Sequence, residues 1–243
     1  MKLALIKGRY CARIATTMAD VEAAQALRHK AFFGVAGRDA DGFDEVCTHL
    51  LIEERGSGML VACCRFLMFE AGQIGRSYSA QYYELSALEG FAGRMVELGR
   101  FCVAPGWSNP DILRIAWAAL TRYVDENKVK MLFGCSSFEG VDERRYLDAF
   151  AMLQEHHLAP PCWQPRVKAP QVVRFDRRPR RGLDIKQAVL GLPPLLRTYL
   201  MMGGWVSDHA VVDRQMGTLH VFTGLEIAAI PPARKRLLRT VAA

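Results

Sequence analysis

The sequence predicts an α/β (α+β) fold, a central mixed and mostly antiparallel sheet flanked by helices on both faces. Three observations predict it. Alternating runs and runs of helical period interleave along the chain. Two early apolar runs are joined only by Arg55-Gly56-Ser57-Gly58, a hairpin connection that makes them antiparallel neighbours. In the middle, a strand, a short loop, a helix and another strand follow one another. At 243 residues, 51% of them hydrophobic, the chain is long enough for a full core and too apolar for disorder. It reads as one domain over 1–243, with a basic last third, 166–243, completing the sheet.

Residues 10–15 alternate as a short strand. Thr17-Met18-Ala19-Asp20 precedes a helix over 21–33, where Val21, Ala24, Leu27, Ala31 and Phe32 recur near the 3.6 period. Turn formers fill 34–42, and 49–53 and 60–69 are the hairpin strands. The polar and aromatic segment 75–93 carries a weak helical pattern over 80–88. Residues 96–103 form the next strand. Asn109 reads as an N-cap and Pro110 as a first helical residue, where no backbone donor is needed, so a helix runs to 127. Its core face is marked by Ile112, Leu113, Ala116, Leu120 and Tyr123. A strand over 130–138, a helix over 142–157, a Pro-rich bend over 160–170 and a strand over 172–175 follow. Residues 184–202 read as a helix interrupted at Pro193-Pro194, and strands over 205–212 and 218–225 close the pattern.

No run approaches 18 consecutive apolar residues, and the apolar start of the chain is too short for a signal peptide, so the expected location is the cytoplasm. The 7 cysteines are odd in number and lack paired spacing, which points to reduced, buried thiols and away from a zinc or other metal site. Net charge is +7, unevenly spread: residues 1–165 hold 18 Lys and Arg against 20 Asp and Glu, and residues 166–243 hold 14 against 5. A basic face suits nucleic acid, anionic lipid or an acidic protein. No nucleic-acid motif is present, so a basic nucleic-acid-binding module rests on charge alone.

Several residues are expensive to bury where they stand. Glu97 and Arg100 lie three apart on an apolar strand and face opposite ways unless a bulge intervenes, which Gly99 would permit. Arg65 interrupts another apolar strand. Each is a structural ion pair or part of a polar pocket. Arg28 on the first helix, with Asp44, Glu45 and His49 beyond the loop, offers a guanidinium for a carboxylate, carboxylates for an ammonium and a candidate base. The loop from Ala104 to Asp111 before a capped helix is a generic anion site without dinucleotide or P-loop spacing. Ser207-Asp208-His209 with Asp213 falls one residue short of a His-x-x-x-x-Asp signature, and Cys102 and Cys135 have no neighbouring His to activate them.

Arg28-His29-Lys30-Ala31-Phe32, the run from Phe43 to Leu50, Cys64-Arg65, Glu97-Leu98-Gly99-Arg100-Phe101 and the run from Leu192 to Leu200 together resemble bacterial L-ornithine N-alpha-acyltransferases. These are relatives of acyl-homoserine-lactone synthases within the GNAT fold. The likeness spans about residues 10–225. It implies transfer of a 3-hydroxy fatty acyl group from acyl carrier protein to the α-amino group of L-ornithine, giving lyso-ornithine lipid. The acyl-carrier thioester is then a co-substrate, and no bound cofactor is expected. Glu97 becomes the expected base with His49 as the alternate, and Arg28, Phe32, Asp44, Arg65 and Arg100 the expected substrate-binding set. Val103, Gly106, Trp107, Ser108 and Asn109 would meet the carrier or its pantetheine arm.

The sequence departs from its relatives at Cys47-Thr48, where they carry an acid; Asp41 or Glu45 would substitute. Arg174, Arg177, Arg178, Arg180 and Arg181 would dock the acidic carrier or the anionic face of the inner membrane. The apolar residues Leu192, Leu195, Leu196, Tyr199, Leu200, Met201 and Met202 either lie in that membrane interface or pack on the sheet. A different amino-acid acceptor, or lactone synthesis, is the alternative within the same fold.

Overall fold

A computed structural model describes residues 4–176 and 182–242. It is a mixed α/β fold whose strands pair almost entirely antiparallel, and its chain divides into two compact units. The first comprises residues 1–68, 98–129 and 232–243, and the second residues 69–97 and 130–231.

The first unit begins with β1 (Ala4–Lys7) and β2 (Tyr10–Ile14), joined as a tight hairpin. α1 (Met18–Phe33) follows, and then the hairpin strands β3 (Thr48–Glu54) and β4 (Leu60–Phe69) extend the antiparallel order to β1-β2-β3-β4. α1 starts earlier than its periodicity suggests. The Thr17 side chain accepts from Asp20 N while Asp20 reaches back to the Thr17 backbone, a reciprocal capping box that opens the helix at Met18. Its deepest residues are Ala24, Gln25 and Arg28, whereas Leu27, Ala31 and Phe32 are partly buried. Ala24 packs with Leu51 and Cys63, so α1 covers one sheet face.

α2 (Pro110–Glu126) covers the other face, where Tyr123 meets Phe66 edge-on at 4.5 Å. Asn109 accepts from Asp111 N and Pro110 opens the helix, as the sequence predicts. A C-terminal helix, α6 (Pro232–Ala242), and the first strand, β1, are elements the sequence reading lacks. β1 is four residues long, and α6 has four basic residues and no acid.

In the second unit, β7 (Val129–Glu139), β9 (Val172–Arg174), β10 (Trp205–Asp213) and β11 (Thr218–Glu226) take the antiparallel order β7-β11-β10-β9. One face carries α3 (Leu147–His156), α4 (Ile185–Gly191) and α5 (Pro194–Met201) around Phe150, Phe175, Leu196, Val206 and Val221. Leu192, Leu196, Tyr199 and Met202 are buried, which assigns most of that apolar segment to the core; Met201 points to solvent.

The helix expected over 80–88 is absent. Short 3-10 turns and β5 (Tyr83–Glu84), paired with β8 (Arg166–Val167), take its place because non-local partners capture the backbone: Glu97 holds the N–H groups of Tyr78 and Ser79, and Tyr82 O accepts from Ala169 N. The helix expected from 142 begins at Leu147, since the Asp142 side chain accepts from Arg144 N and sets a 3-10 turn first. β6 (Arg94–Val103) contributes residues to both units. No described helix is long and apolar enough to cross a membrane.

Candidate active site

Cross-strand pairing decides which polar side chains meet in the first unit. His49 pairs with Arg65 and Leu51 with Cys63, so these four share one face of β3 and β4. That face lies under α1. Ala24 covers its apolar end, and Arg28, one turn later, covers its polar end.

Arg28 is 1% exposed and grips Asp44 with two parallel bonds of 2.8 Å, Nη1 to Oδ1 and Nη2 to Oδ2. Its Nε stands 2.8 Å from Asp39 Oδ2, and its Nη2 also donates to the Asp39 carbonyl. Arg65 Nη1 donates to Asp41 Oδ1 and Asp44 Oδ1 at 2.6 Å, and its Nη2 to Asp41 Oδ2 at 2.7 Å. Arg100 completes the ring with bonds of 3.0 Å to Asp39 and 3.3 Å to Asp41. Gln25 Nε2 adds a bond of 2.9 Å to Asp44 Oδ2.

Three guanidinium groups and three carboxylates therefore interlock with balanced charge. Desolvation by itself would raise the Asp44 carboxyl, but the Arg28, Arg65 and Gln25 hydrogen bonds outweigh it and hold it well below the usual range. Asp41 is lowered by the same contest between burial and Arg65. Asp41, held by Arg65 and Arg100, supplies the third carboxylate of this network, while Glu45 is exposed. The Asp41-x-x-Asp44 spacing was visible beforehand: each side chain takes a backbone N–H of this short turn, which aims both carboxylates at Arg65.

Arg100 reaches Asp39 and Asp41 from a left-handed backbone, φ 53°, so the break in strand alternation falls on Arg100 itself and not on Gly99. His49 is buried, and its Nε2 lies 3.0 Å from the Asp44 carbonyl. A carbonyl only accepts, so Nε2 carries the proton and Nδ1 keeps a bare lone pair, buried with no partner among the described residues. Burial lowers the His49 pKa, against the opposing pull of Asp44, and the ring is neutral near pH 7.

Other expected residues take different places. Phe32 packs against the Ala24–Leu51–Cys63–Cys102 cluster. Gly106, φ 85°, and Ser108 are exposed in the loop before α2; Trp107 N closes a turn onto Ala104 O, and Trp107 meets the Tyr10 ring edge-on at 6.4 Å. Asn109 spends its side chain on the helix cap, and Val103 is half-buried. Arg174 lies 3.8 Å from Asp208, while Arg177, Arg178, Arg180 and Arg181 lie outside the described residues. All 7 cysteines are free; Cys63, Cys64 and Cys102 are buried as expected, but Cys162 is exposed and the other three are half-buried.

The second unit holds Glu97. Its Oε1 accepts from Ser79 N at 2.7 Å and Ser79 Oγ at 2.6 Å, and its Oε2 from Tyr78 N at 2.8 Å. Ser79, which the sequence did not single out, is fully buried and also lies 3.5 Å from Cys135 Sγ.

Acid stability follows from these environments. Folded-state values of Asp41, Asp44, His49 and His220 are all depressed, so each group stabilises the fold above its unfolded value and loses that contribution as pH falls. For His220 the window runs from 6.5 down to about 4 and is worth about 3 kcal/mol. For the aspartates it lies below about pH 4. Calorimetry against pH should show stability falling in these two stages, with His220→Phe shrinking the upper one. A flat profile between pH 6.5 and 4 contradicts this.

The GNAT acetyltransferase domain family matches residues 23–118. The L-ornithine N(alpha)-acyltransferase of Rhodobacter capsulatus is 33% identical over 238 residues, covering 91% of this chain and 91% of that protein. Its namesake from Brucella abortus is 30% identical over 237 residues, covering 90% and 84%. Among solved structures, FeeM, an N-acyl amino acid synthase from uncultured soil microbes, matches with a TM-score of 0.52 at 12% identity over 97% of this chain and 98% of that one, a likeness of fold. The chain is an acyltransferase of the GNAT fold and belongs to the L-ornithine N(alpha)-acyltransferase family.

Proposed function

We propose that this protein moves a 3-hydroxy fatty acyl group from the phosphopantetheine thioester of acyl carrier protein to the α-amino group of L-ornithine, producing lyso-ornithine lipid. The carrying observation is the charge-balanced ring of Arg28, Arg65, Arg100, Asp39, Asp41 and Asp44 beside the bare Nδ1 of His49. The names of the relatives support the acceptor.

A neutral ring favours a neutral guest. Ornithine with its α-amine deprotonated carries one carboxylate and one δ-ammonium, so it enters as an ion pair: its carboxylate takes a guanidinium while its ammonium takes the released aspartate. A monobasic amino acid in the same reactive state brings a net negative charge and leaves one buried aspartate uncompensated. Asp41, with the most exposed side chain of the six at 28%, is where the exchange begins.

His49 Nδ1 receives the ammonium proton. The amine nitrogen then attacks the thioester carbonyl, the C–N bond forms, the C–S bond breaks, and the pantetheine thiol leaves with a proton. Glu97 positions the Tyr78–Ser79 turn rather than serving as the base, since three donors already engage its carboxylate. Val103, Gly106, Trp107, Ser108 and Asn109 line the path of the carrier's arm. The carrier, or an anionic membrane surface, is met by Arg174 and the arginines that follow it.

Purified protein given 3-hydroxyacyl carrier protein and ornithine, lysine, glutamine, glycine or S-adenosylmethionine in turn tests this, with products read by mass. N-acylornithine should dominate. A product formed only with another acceptor, or none at all, overturns the reading.

A further inference from the structure

On the second unit, α4 shows an aliphatic face to solvent. A turn of helix takes about 3.6 residues, so Ile185, Val189, Lys186 and Leu190 fall in that order along one arc of about 140°, turned away from Ala188. Ala188 is buried with Tyr146, Ala149 and Leu192, where α4 packs on α3. The arc stays outside: Ile185 is 66% exposed, Val189 41% and Leu190 63%, with Lys186 exposed among them. A surface helix ordinarily buries its aliphatic stripe and turns its polar one to water.

This helix is pinned in place. Asp184 caps it by accepting from Gln187 N at 3.0 Å, and the Asp184 N–H donates to Asp148 Oδ1 on α3 at 3.0 Å. Leu192 and Leu196 fix the chain beyond it in the core. Three large aliphatic side chains held side by side in water form a contiguous patch, whose exposure costs free energy until something covers it. Charge along the chain indicates what does: by sequence, residues 174–183, which lead into α4, carry 5 arginines and 1 acid, so the cover is anionic. Aliphatic side chains around one lysine on a convex helix suit a lipid surface. Ile185, Val189 and Leu190 would enter the acyl chains, while the Lys186 stem lies along them with its ammonium among the headgroups.

We propose that α4 seats on an anionic lipid bilayer, with Ile185, Val189 and Leu190 inserted and Lys186 at the headgroups. Of the two anionic partners named above, this assigns the bilayer to α4. It rests on the proposed function only for its purpose, since a product with a fatty acyl chain partitions into a bilayer. The surface lies wholly within the second unit and uses none of the residues placed in acyl transfer.

The test is flotation of the full chain, without substrates, with vesicles of phosphatidylcholine containing phosphatidylglycerol and with vesicles of phosphatidylcholine alone. Wild type should bind the anionic vesicles, more weakly as salt rises. Ile185→Ser combined with Leu190→Ser should lower that partition at least about tenfold at every salt concentration, and each single change should lower it in part. Met18→Ser, which removes a side chain 72% exposed on the first unit, should leave it unchanged. Both α4 positions are exposed, so the double variant should fold, as circular dichroism checks, and should acylate ornithine from soluble carrier at the wild-type rate. Either single change carries the test if the pair does not fold. Wild type that floats with neither vesicle or equally with both, or a double variant that floats as well as wild type, overturns the inference. So does a double variant whose KM for acyl carrier protein rises while flotation holds, which makes the carrier the occupant of α4, or one that converts a sedimenting dimer to a monomer, which makes the occupant a second copy. If wild type forms no acylornithine in the absence of vesicles, it is the proposed function that fails, whatever the flotation shows.

Discussion

Arg28→Met is expected to lower the unfolding free energy by about 3–5 kcal/mol and to abolish acyl transfer, with the loss of stability read from urea or thermal unfolding. The physical reason is the state left behind. Asp44, 8% exposed, would lose its bidentate partner, and Asp39 its nearest guanidinium, while both stay out of water. Arg28→Lys should recover little, because one ammonium cannot span two Asp44 oxygens and also reach Asp39. Adding Asp44→Asn to Arg28→Met should cost much less than the sum of the two single changes, since the second removes the charge that the first orphans. An Arg28→Met protein within about 1 kcal/mol of wild type would mean the network is not the buried, mutually dependent unit described.

The second large effect is on rate. His49→Gln should reduce kcat by about 10²–10⁴ while the protein stays folded, because the glutamine amide can still donate to the Asp44 carbonyl but offers no basic nitrogen. The pH profile gives the discriminating sign. A base must be neutral to act, and burial holds the His49 pKa below its ordinary 6.5, so the acid limb of kcat/KM should lie below pH 6.5 and disappear in the variant. Glu97→Gln should instead weaken the Tyr78–Ser79 turn, by placing an amide donor against three donors, and leave the acid limb where it was. If His49→Gln keeps full activity while folded Glu97→Gln loses the acid limb, the two roles are reversed.

The elements legible in the sequence were those whose cause is local. Asn109 with Pro110 and the Arg55-Gly56-Ser57-Gly58 turn each act within a few residues, and the structure has them where the pattern puts them, while the equally local Thr17 with Asp20 opens its helix three residues before the periodic run. The helix expected over 80–88 failed for the converse reason. The two N–H groups just before it, of Tyr78 and Ser79, are held by Glu97, 19 and 18 residues away, and its strand pairs with Arg166–Val167. Periodicity carries no information about such partners.

For the site, the sequence by itself put Glu97, Arg100 and Arg65 on strands too apolar for unpaired charge, and its resemblance led to the expectation that these, with Arg28 and Asp44, serve acyl transfer to an amine. Only the tertiary structure decided who pairs with whom: Arg100 meets Asp39 from 61 residues away, Asp41 and not Glu45 supplies the third carboxylate, and Glu97 binds Ser79. It also decided that Nδ1 of the buried His49 has no partner among the described residues. Helix and strand patterns record short-range hydrogen bonding and the side turned from water, whereas ion pairing and imidazole tautomers depend on which distant groups the folded chain brings within 3 Å.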